Sequence, residues 1–269
     1  MSAVPRSLLF TPGSRPDRFA KAGATATEGL ILDLEDAVAA ADKDSAREHV
    51  AAFLSHRGAV RQQVTVRINP LSSVAGLLDL AMIARSAAAP EFVLLPKAES
   101  AEQVRLLAQV LEGAGSQARI GALVESARGV ARAAELAEAD ARLAFVMFGA
   151  ADYAADLGQD VAIYRPDHAR AAIVNAAAAG GIVAIDSPFF AIDGPDALVE
   201  DCTGGRALGF HGKAAIHPSQ IEAINASYTP REEERARARR ILDAATDGVG
   251  VLDGEMVDIA MVRWARRID

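Results

Sequence analysis

FVLLPKAE (residues 92–99), the pair Ser100 and Gln103, and RIGALVES (residues 119–126) together decide the fold. The first run is short, β-rich and apolar on both faces. Ser100 followed three residues later by Gln103 has the spacing of a capping box, which starts a helix. The second apolar run then begins, so the stretch reads as strand, helix, strand. Working outward, the same alternation recurs along the chain. Upstream lie SLLFTPG (7–13), GLILDLEDAV (29–38) and QVTVRIN (63–69). Downstream lie LAFVMFGA (143–150), GIVAIDSP (181–188) and ALGFHGKAAIHP (207–218). Strands that are apolar on both faces suit a parallel sheet, covered by helices outside and packed inside. Pro166 opens one of the intervening helices, and Gly180 and Gly181 close it. Eight alternations of β and α point to a closed (β/α)8 TIM barrel, whose usual length of roughly 250 residues fits a chain of 269.

About 50 residues follow the eighth run and are surplus to a barrel. Thr229, Pro230 and Glu232 signal a charged helix that continues through Leu242, and a Gly-containing link leads on to VLDGEMVDIAMVRWARRID. The expected division is residues 1–225 as the barrel and 226–269 as a C-terminal helical extension. That extension reads either as a cap over apolar barrel surface or as a lid over an active site.

Composition narrows the function classes. With 51% hydrophobic and 24% charged residues the chain can bury a large core. A net charge of −8 argues against nucleic acid as the main partner, because phosphate backbones require a cationic surface. Cys202 is the single cysteine, so an intramolecular disulfide and a CxxC metal pair are both excluded, and Cys202 reads as packing. The early apolar run ends at Thr11, Pro12 and Gly13, too soon for a signal peptide, and no apolar stretch of about 20 residues suggests a membrane span. A soluble cytoplasmic protein is the expectation.

Barrel enzymes place their chemistry at the C-terminal ends of the strands. Here those ends carry Asp33, Glu35 and Asp36 after the second run, and Arg67 and Asn69 after the third. Lys97 and Glu99 follow the fourth run, Glu125 the fifth, Asp152 the sixth, Asp186 the seventh, and Lys213 and His217 the eighth. A barrel core needs none of these charges, and burying charge without a partner costs several kcal/mol. Glu125 and Asp152, on neighbouring strands, form a hard oxygen pair suited to Mg²⁺; the alternative for either is a helix cap or an ion pair. Asp156 reads as structural. Arg67 could grip a substrate carboxylate with its planar fork, or pair inside the protein with Glu35 or Asp36. Lys97 is expected to pair with a neighbouring carboxylate, and His217, before Pro218, reads as structural rather than catalytic.

With these residues in place the chain resembles the citrate lyase β-subunit (CitE-like) family, within the wider HpcH/HpaI aldolase and malyl-CoA and citramalyl-CoA lyase group. The resemblance is carried by RSLLFTPGSRPDRFAKA, LDLEDAVAAADKDSAR, VRIN, LLPKAES, ALVESARGV, FGAADYAADLG, GFHGKAAIHPSQI and DGEMVD, in that order. It implies that Glu125 and Asp152 bind Mg²⁺ and that Arg67 binds the carboxylate of a 2-keto acid fragment. It places Glu35 and Asp36 where they orient metal waters or Arg67, with Lys97 beside them, and Arg15, Arg18 and Lys21 where the family meets coenzyme A. It makes Asp258, in GEMVDIA, the group that exchanges a proton with the acetyl carbon of acetyl-CoA. The implied reaction is cleavage or formation of a carbon–carbon bond in a small 3-hydroxy-3-carboxyacyl-CoA such as malyl-, citramalyl- or citryl-CoA. The alternatives are a subunit that depends on a citrate lyase complex and its acyl carrier, a 2-keto acid aldolase, and a malyl-CoA thioesterase. In the family the tail commonly closes over a neighbouring subunit, which implies a homo-oligomer, a trimer. One departure stands out: the family's tail carries proline two residues after the aspartate, where this chain has Ala260.

Overall fold

The eight apolar runs form eight parallel strands: β1 (Ser7–Pro12), β2 (Gly29–Asp33), β3 (Gln63–Arg67), β4 (Phe92–Leu95), β5 (Arg119–Val124), β6 (Leu143–Phe148), β7 (Val183–Asp186) and β8 (Gly212–Ala215). Each pairs with its sequence neighbours, and β1 pairs with β8, so the sheet closes into the expected (β/α)8 barrel. The computed structural model describes residues 3–58, 60–86, 88–245 and 249–268. The chain divides into two compact units, residues 1–228 and 229–269. The expected division after residue 225 falls inside the helix Ile221–Tyr228.

The strands are shorter than the apolar runs, and the difference lies mainly at their C-terminal ends, where the chain leaves the sheet. The eighth run is also trimmed in front. Ala207 and Leu208 end the helix Pro195–Leu208, and Gly209 stops it with a positive φ of 107°. The capping box at Ser100 and Gln103 forms as read, and Pro166 and Gly180 flank the helix Asp167–Ala179.

Strand alternation decides which side chains reach the mouth. Ile31, Phe92, Leu94, Leu123, Met147, Ile185 and Ala214 fill the barrel interior, while Leu32, Val66, Val93, Val124 and Val146 pack outward into the main core with the helices. Asp33 and Glu125 lie two residues beyond the inward Ile31 and Leu123, and Arg67 lies one beyond the outward Val66, so all three point into the mouth. Asp186 follows the inward Ile185 and points out among the helices instead.

The second unit consists of the helix Glu232–Ala244, a hairpin and the helix Ile259–Ile268, around Ala238, Ile241, Val257, Val262 and Ala265. The hairpin, β9 (Gly250–Leu252) with β10 (Glu255–Val257), was not expected in a helical extension. Its turn is Asp253 and Gly254, both at positive φ, as Asp-Gly turns favour. The first helix is capped two residues later than its sequence signal at Thr229 and Glu232: Arg231 N donates to Glu234 Oε2 at 2.8 Å. Among the described residues no helix is long and apolar enough to cross a membrane.

Barrel closure depends on a close approach at Gly212, where a Cβ would lie 2.2 Å from the Arg6 carbonyl oxygen. The same backbone segment accepts a hydrogen bond from Lys213 N at 2.8 Å. Gly212→Ala should therefore destabilise the chain by about 1–3 kcal/mol, as overpacking against rigid backbone does. A lowered urea midpoint with an unchanged m-value is the expected result.

Candidate active site

The site is organised around Arg67. In the β2–β3 register Asp33 lies directly opposite Arg67. Arg67 Nε donates to Asp33 Oδ1 and Nη2 donates to Asp33 Oδ2, both at 2.6 Å. This is a two-point fork on a carboxylate, the strongest form of the pair. The remaining Nη1 lies 2.9 Å from Glu35 Oε2 and 3.9 Å from Asp36 Oδ2. The guanidinium also sits over the Phe10 ring, 4.9 Å from its centre. Burial would lower the pKa of Arg67, but the hydrogen bonds and charge of Asp33, then the charges of Glu35 and Glu125, hold it above its ordinary value. The internal partner expected from sequence was Glu35 or Asp36, yet Asp33 is the one that forks it. Asp33 also accepts from Glu35 N at 2.9 Å and Ala37 N at 3.2 Å, so one carboxylate shapes the loop and orients the cation.

Glu125 extends from the end of β5 and is 3% exposed. Its Oε1 accepts from the backbone N of Lys97 at 2.8 Å. Lys97 holds a φ of 48°, a conformation costly for a side chain with a Cβ. Its Nζ turns to Glu35 Oε1 at 3.2 Å. Lys43, a residue the sequence reading did not single out, donates from Nζ to the Leu34 and Glu35 carbonyls, both at 2.6 Å. Glu35 is thus within ion-pair distance of two cations, but neither of its buried carboxylate oxygens has an aligned hydrogen-bond donor.

Asp152 is the third residue of the helix Ala150–Asp156. That helix comes close to Glu125 because Gly149 lacks a Cβ, which would lie 2.5 Å from Glu125 Cβ and 2.7 Å from Glu125 Oε2. Asp156 accepts from Ala127 N at 2.8 Å, the structural role expected of it. Glu125, Asp152, Arg67, Asp33 and Asp36 line one cavity of about 340 Å³, whose apolar wall includes Phe10, Leu123, Met147 and Phe190. Desolvation, then the charges of Glu35 and Asp152, push the Glu125 carboxyl up to about 8. Burial also raises Glu35. A crowd of carboxylates that resists ionisation, together with buried oxygens lacking donors, is the environment a divalent cation relieves. The donors are all oxygen, so the residues fit Mg²⁺, which takes one or two carboxylates and completes its shell with water and substrate oxygens.

The structure brings Glu35, Asp36, Arg67, Lys97, Glu125 and Asp152 together at one barrel mouth. Arg15 precedes the helix Pro16–Gly23, which carries Arg18 and Lys21; all three are exposed, and Arg15 pairs with Asp17 at 2.9 Å. Asp258 belongs to the second unit, where its Oδ1 accepts from Ala260 N at 2.9 Å and Met261 N at 3.0 Å and caps the last helix. His217 Nδ1 bonds Ser219 Oγ at 2.7 Å in a local turn. Cys202 is fully buried and its thiol is pushed up to about 11, largely by burial, which keeps it protonated. Lys213 and Asp186 face the helices and form a separate buried network with Arg170 and Asp201.

A closed parallel barrel with acidic and guanidinium groups converging at its C-terminal mouth defines a barrel enzyme. Residues 6–218 match the family model described as HpcH/HpaI aldolase/citrate lyase. The citrate lyase subunit beta of Haemophilus influenzae is 34% identical over 98% of this chain and 95% of its own length. A citrate lyase subunit beta-like protein of Mycobacterium tuberculosis is 40% identical over 96% of this chain and 92% of its own. Among solved structures, CitE from M. tuberculosis in complex with magnesium, acetoacetate and coenzyme A is 37% identical, with a TM-score of 0.80 over 99% of this chain and 97% of that one. The chain therefore belongs to the HpcH/HpaI aldolase/citrate lyase family and is an enzyme of the lyase type.

The raised Glu125 carboxyl has a consequence for stability. Folding strengthens its hold on the proton, so in metal-free protein its contribution is intact below the unfolded value near 4.5 and is lost as pH rises towards 8. Thermal unfolding in EDTA should give a lower midpoint at pH 8 than at pH 5.5, and Glu125→Gln should narrow that gap by raising the pH 8 midpoint. An equal gap in both proteins would contradict the assignment.

Proposed function

We propose that this chain is a Mg²⁺-dependent carbon–carbon lyase acting on a small 3-hydroxy-3-carboxyacyl-CoA, releasing acetyl-CoA or a related acyl-CoA and a 2-keto acid. One observation carries the reading: buried Glu125, crowded by Glu35 and Asp152, lines the same 340 Å³ cavity as an arginine already fixed by Asp33. Bound at Glu125 and Asp152, Mg²⁺ supplies Lewis acidity to the hydroxyl and carboxylate oxygens of the substrate.

The chain's own groups do the rest. Asp33 fixes the guanidinium of Arg67 through Nε and Nη2, so its orientation is set before the substrate carboxylate shares the remaining Nη1 with Glu35. Glu35 and Asp36 balance that guanidinium, and Lys97 balances Glu35. In cleavage the hydroxyl proton passes to solvent water at the mouth, the hydroxyl oxygen becomes the carbonyl oxygen of the 2-keto acid, and the electron pair of the breaking carbon–carbon bond passes to the carbon next to the thioester. Asp258 from the tail of a neighbouring copy, as the family resemblance implies, acts as the acid and gives that carbon its proton; in the reverse direction it removes it. Its Oδ1 takes both capping bonds, which leaves Oδ2 for this exchange. Arg15, Arg18 and Lys21 form an exposed basic row for the phosphates of coenzyme A. The exposed Met256 and Ile259 of the second unit support a homo-oligomer, with a trimer as the family resemblance implies.

The deciding experiment incubates purified protein with Mg²⁺ and malyl-, citramalyl-, citryl- or 3-hydroxy-3-methylglutaryl-CoA and follows products by mass spectrometry. The expected result is an acyl-CoA plus a keto acid from at least one substrate, abolished by EDTA. Glu125→Gln and Asp152→Asn should each lower turnover by about 10³-fold, the equivalent of several kcal/mol of transition-state stabilisation. Metal-independent turnover that survives both substitutions would overturn the proposal. Free coenzyme A with malate would mark a thioesterase. Activity on CoA-free hydroxy-keto acids that survives deletion of residues 250–269 would mark an aldolase.

A further inference from the structure

The helix Ala150–Asp156, which carries Asp152, has no side-chain cap of its own, because Gly149 occupies the N-cap position. Its first backbone N–H groups would otherwise lack acceptors. One of them is met from another strand: Ala150 N donates to Ser187 Oγ at 3.1 Å. Ser187 follows the last residue of β7, is 4% exposed and forms part of the wall of the 340 Å³ cavity. Its own backbone is fixed in turn, since Ser187 N donates to Asp186 Oδ1 at 2.9 Å. Asp186 points away from the cavity and is clamped by Arg170 Nη2 at 2.5 Å and Lys213 Nζ at 3.1 Å. A buried ion cluster on the helix side of the barrel thus anchors Ser187. Ser187 then anchors the helix that holds Asp152, two residues beyond the bond.

We infer that Ser187 is a positioning residue: its hydroxyl caps the helix Ala150–Asp156 from a neighbouring strand and fixes Asp152 against Glu125 so that the pair can hold a divalent cation. The inference rests on the assignment of Glu125 and Asp152 as the cation pair. Gly149 and Ser187 have complementary parts. Gly149 lets the helix approach Glu125, and Ser187 sets where along that approach the helix stops. Partners one shell out from a metal usually govern affinity by tenfold to a hundredfold, through orientation rather than contact.

The test measures Mn²⁺ binding to the full-length protein by water-proton relaxation, which still reads millimolar sites and needs no turnover. The wild type should bind Mn²⁺, and Ser187→Ala should weaken binding by about tenfold. In a double-mutant cycle the same substitution should add no loss in an Asp152→Asn background and keep its effect in a Glu125→Gln background. Hydrogen exchange should show the Ala150 amide losing protection in Ser187→Ala while the β5 and β6 amides keep theirs, which separates a lost cap from a lost fold. Unchanged affinity in Ser187→Ala, an equal loss in the Asp152→Asn background, or loss of protection throughout the barrel would overturn the inference. A wild type that binds no Mn²⁺ would overturn the cation assignment itself, and this inference with it.

Discussion

The fork between Asp33 and Arg67 is the contact on which the mouth of the barrel depends. Both groups are buried, and removing one partner of such a pair typically costs about 3–5 kcal/mol because the other charge is left stranded. The pair also does more than satisfy itself. Asp33 fixes the backbone at Glu35 and Ala37, and that turn carries Glu35 in towards the free edge of Arg67 and the ammonium of Lys97. Lys97 in turn gives its backbone N–H to Glu125. One guanidinium and one carboxylate thereby set three further side chains, Glu35, Lys97 and Glu125, which explains how short loops can hold so many charges in fixed places.

The site is electrostatically unbalanced without a further cation. Arg67, Lys97 and Lys43 face Asp33, Glu35, Asp36, Glu125 and Asp152, so negative charge is still in excess, and burial with that charge pushes the Glu125 carboxyl up to about 8. Lys97 adds backbone strain to this, and the buried oxygens of Glu35 lack aligned donors. Each feature lowers the stability of the metal-free fold, and each sits within the same few ångströms. Unfavourable terms of this kind gather at functional sites more often than elsewhere.

The barrel was legible because its signals are local. Each apolar run, the Ser100 and Gln103 box and the Gly180 stop can be read within a few residues. Glu125 and Asp152 were legible because strand order alone makes them neighbours. What escaped needed registers and close approaches that no single segment encodes. Asp33 becomes the partner of Arg67 only when β2 and β3 are set in register, while Glu35 and Asp36 looked equally eligible. The need for Gly149 appears only once Glu125 lies behind it. Asp186 and Lys213 were read as mouth residues from their strand-end positions, but alternation from Ile185 turns them towards the helices. The hairpin at Asp253 and Gly254 was a local signal and could have been read; the charged helix before it and the apolar helix after it drew the whole tail into a helical reading.

The tail also shows how one substitution can alter the behaviour of a proposed acid. A proline two residues beyond the aspartate would have no N–H to give. In this chain the residue is Ala260, whose N–H bonds Asp258 Oδ1 at 2.9 Å alongside Met261 N at 3.0 Å. The carboxylate is therefore held by two donors where a proline would leave one, and its rotation is more restricted. Such restraint favours a proton exchange performed from one direction by one oxygen, Oδ2. On the proposed role of Asp258, the backbone N–H that a proline would lack therefore decides which carboxylate oxygen is left to exchange the proton.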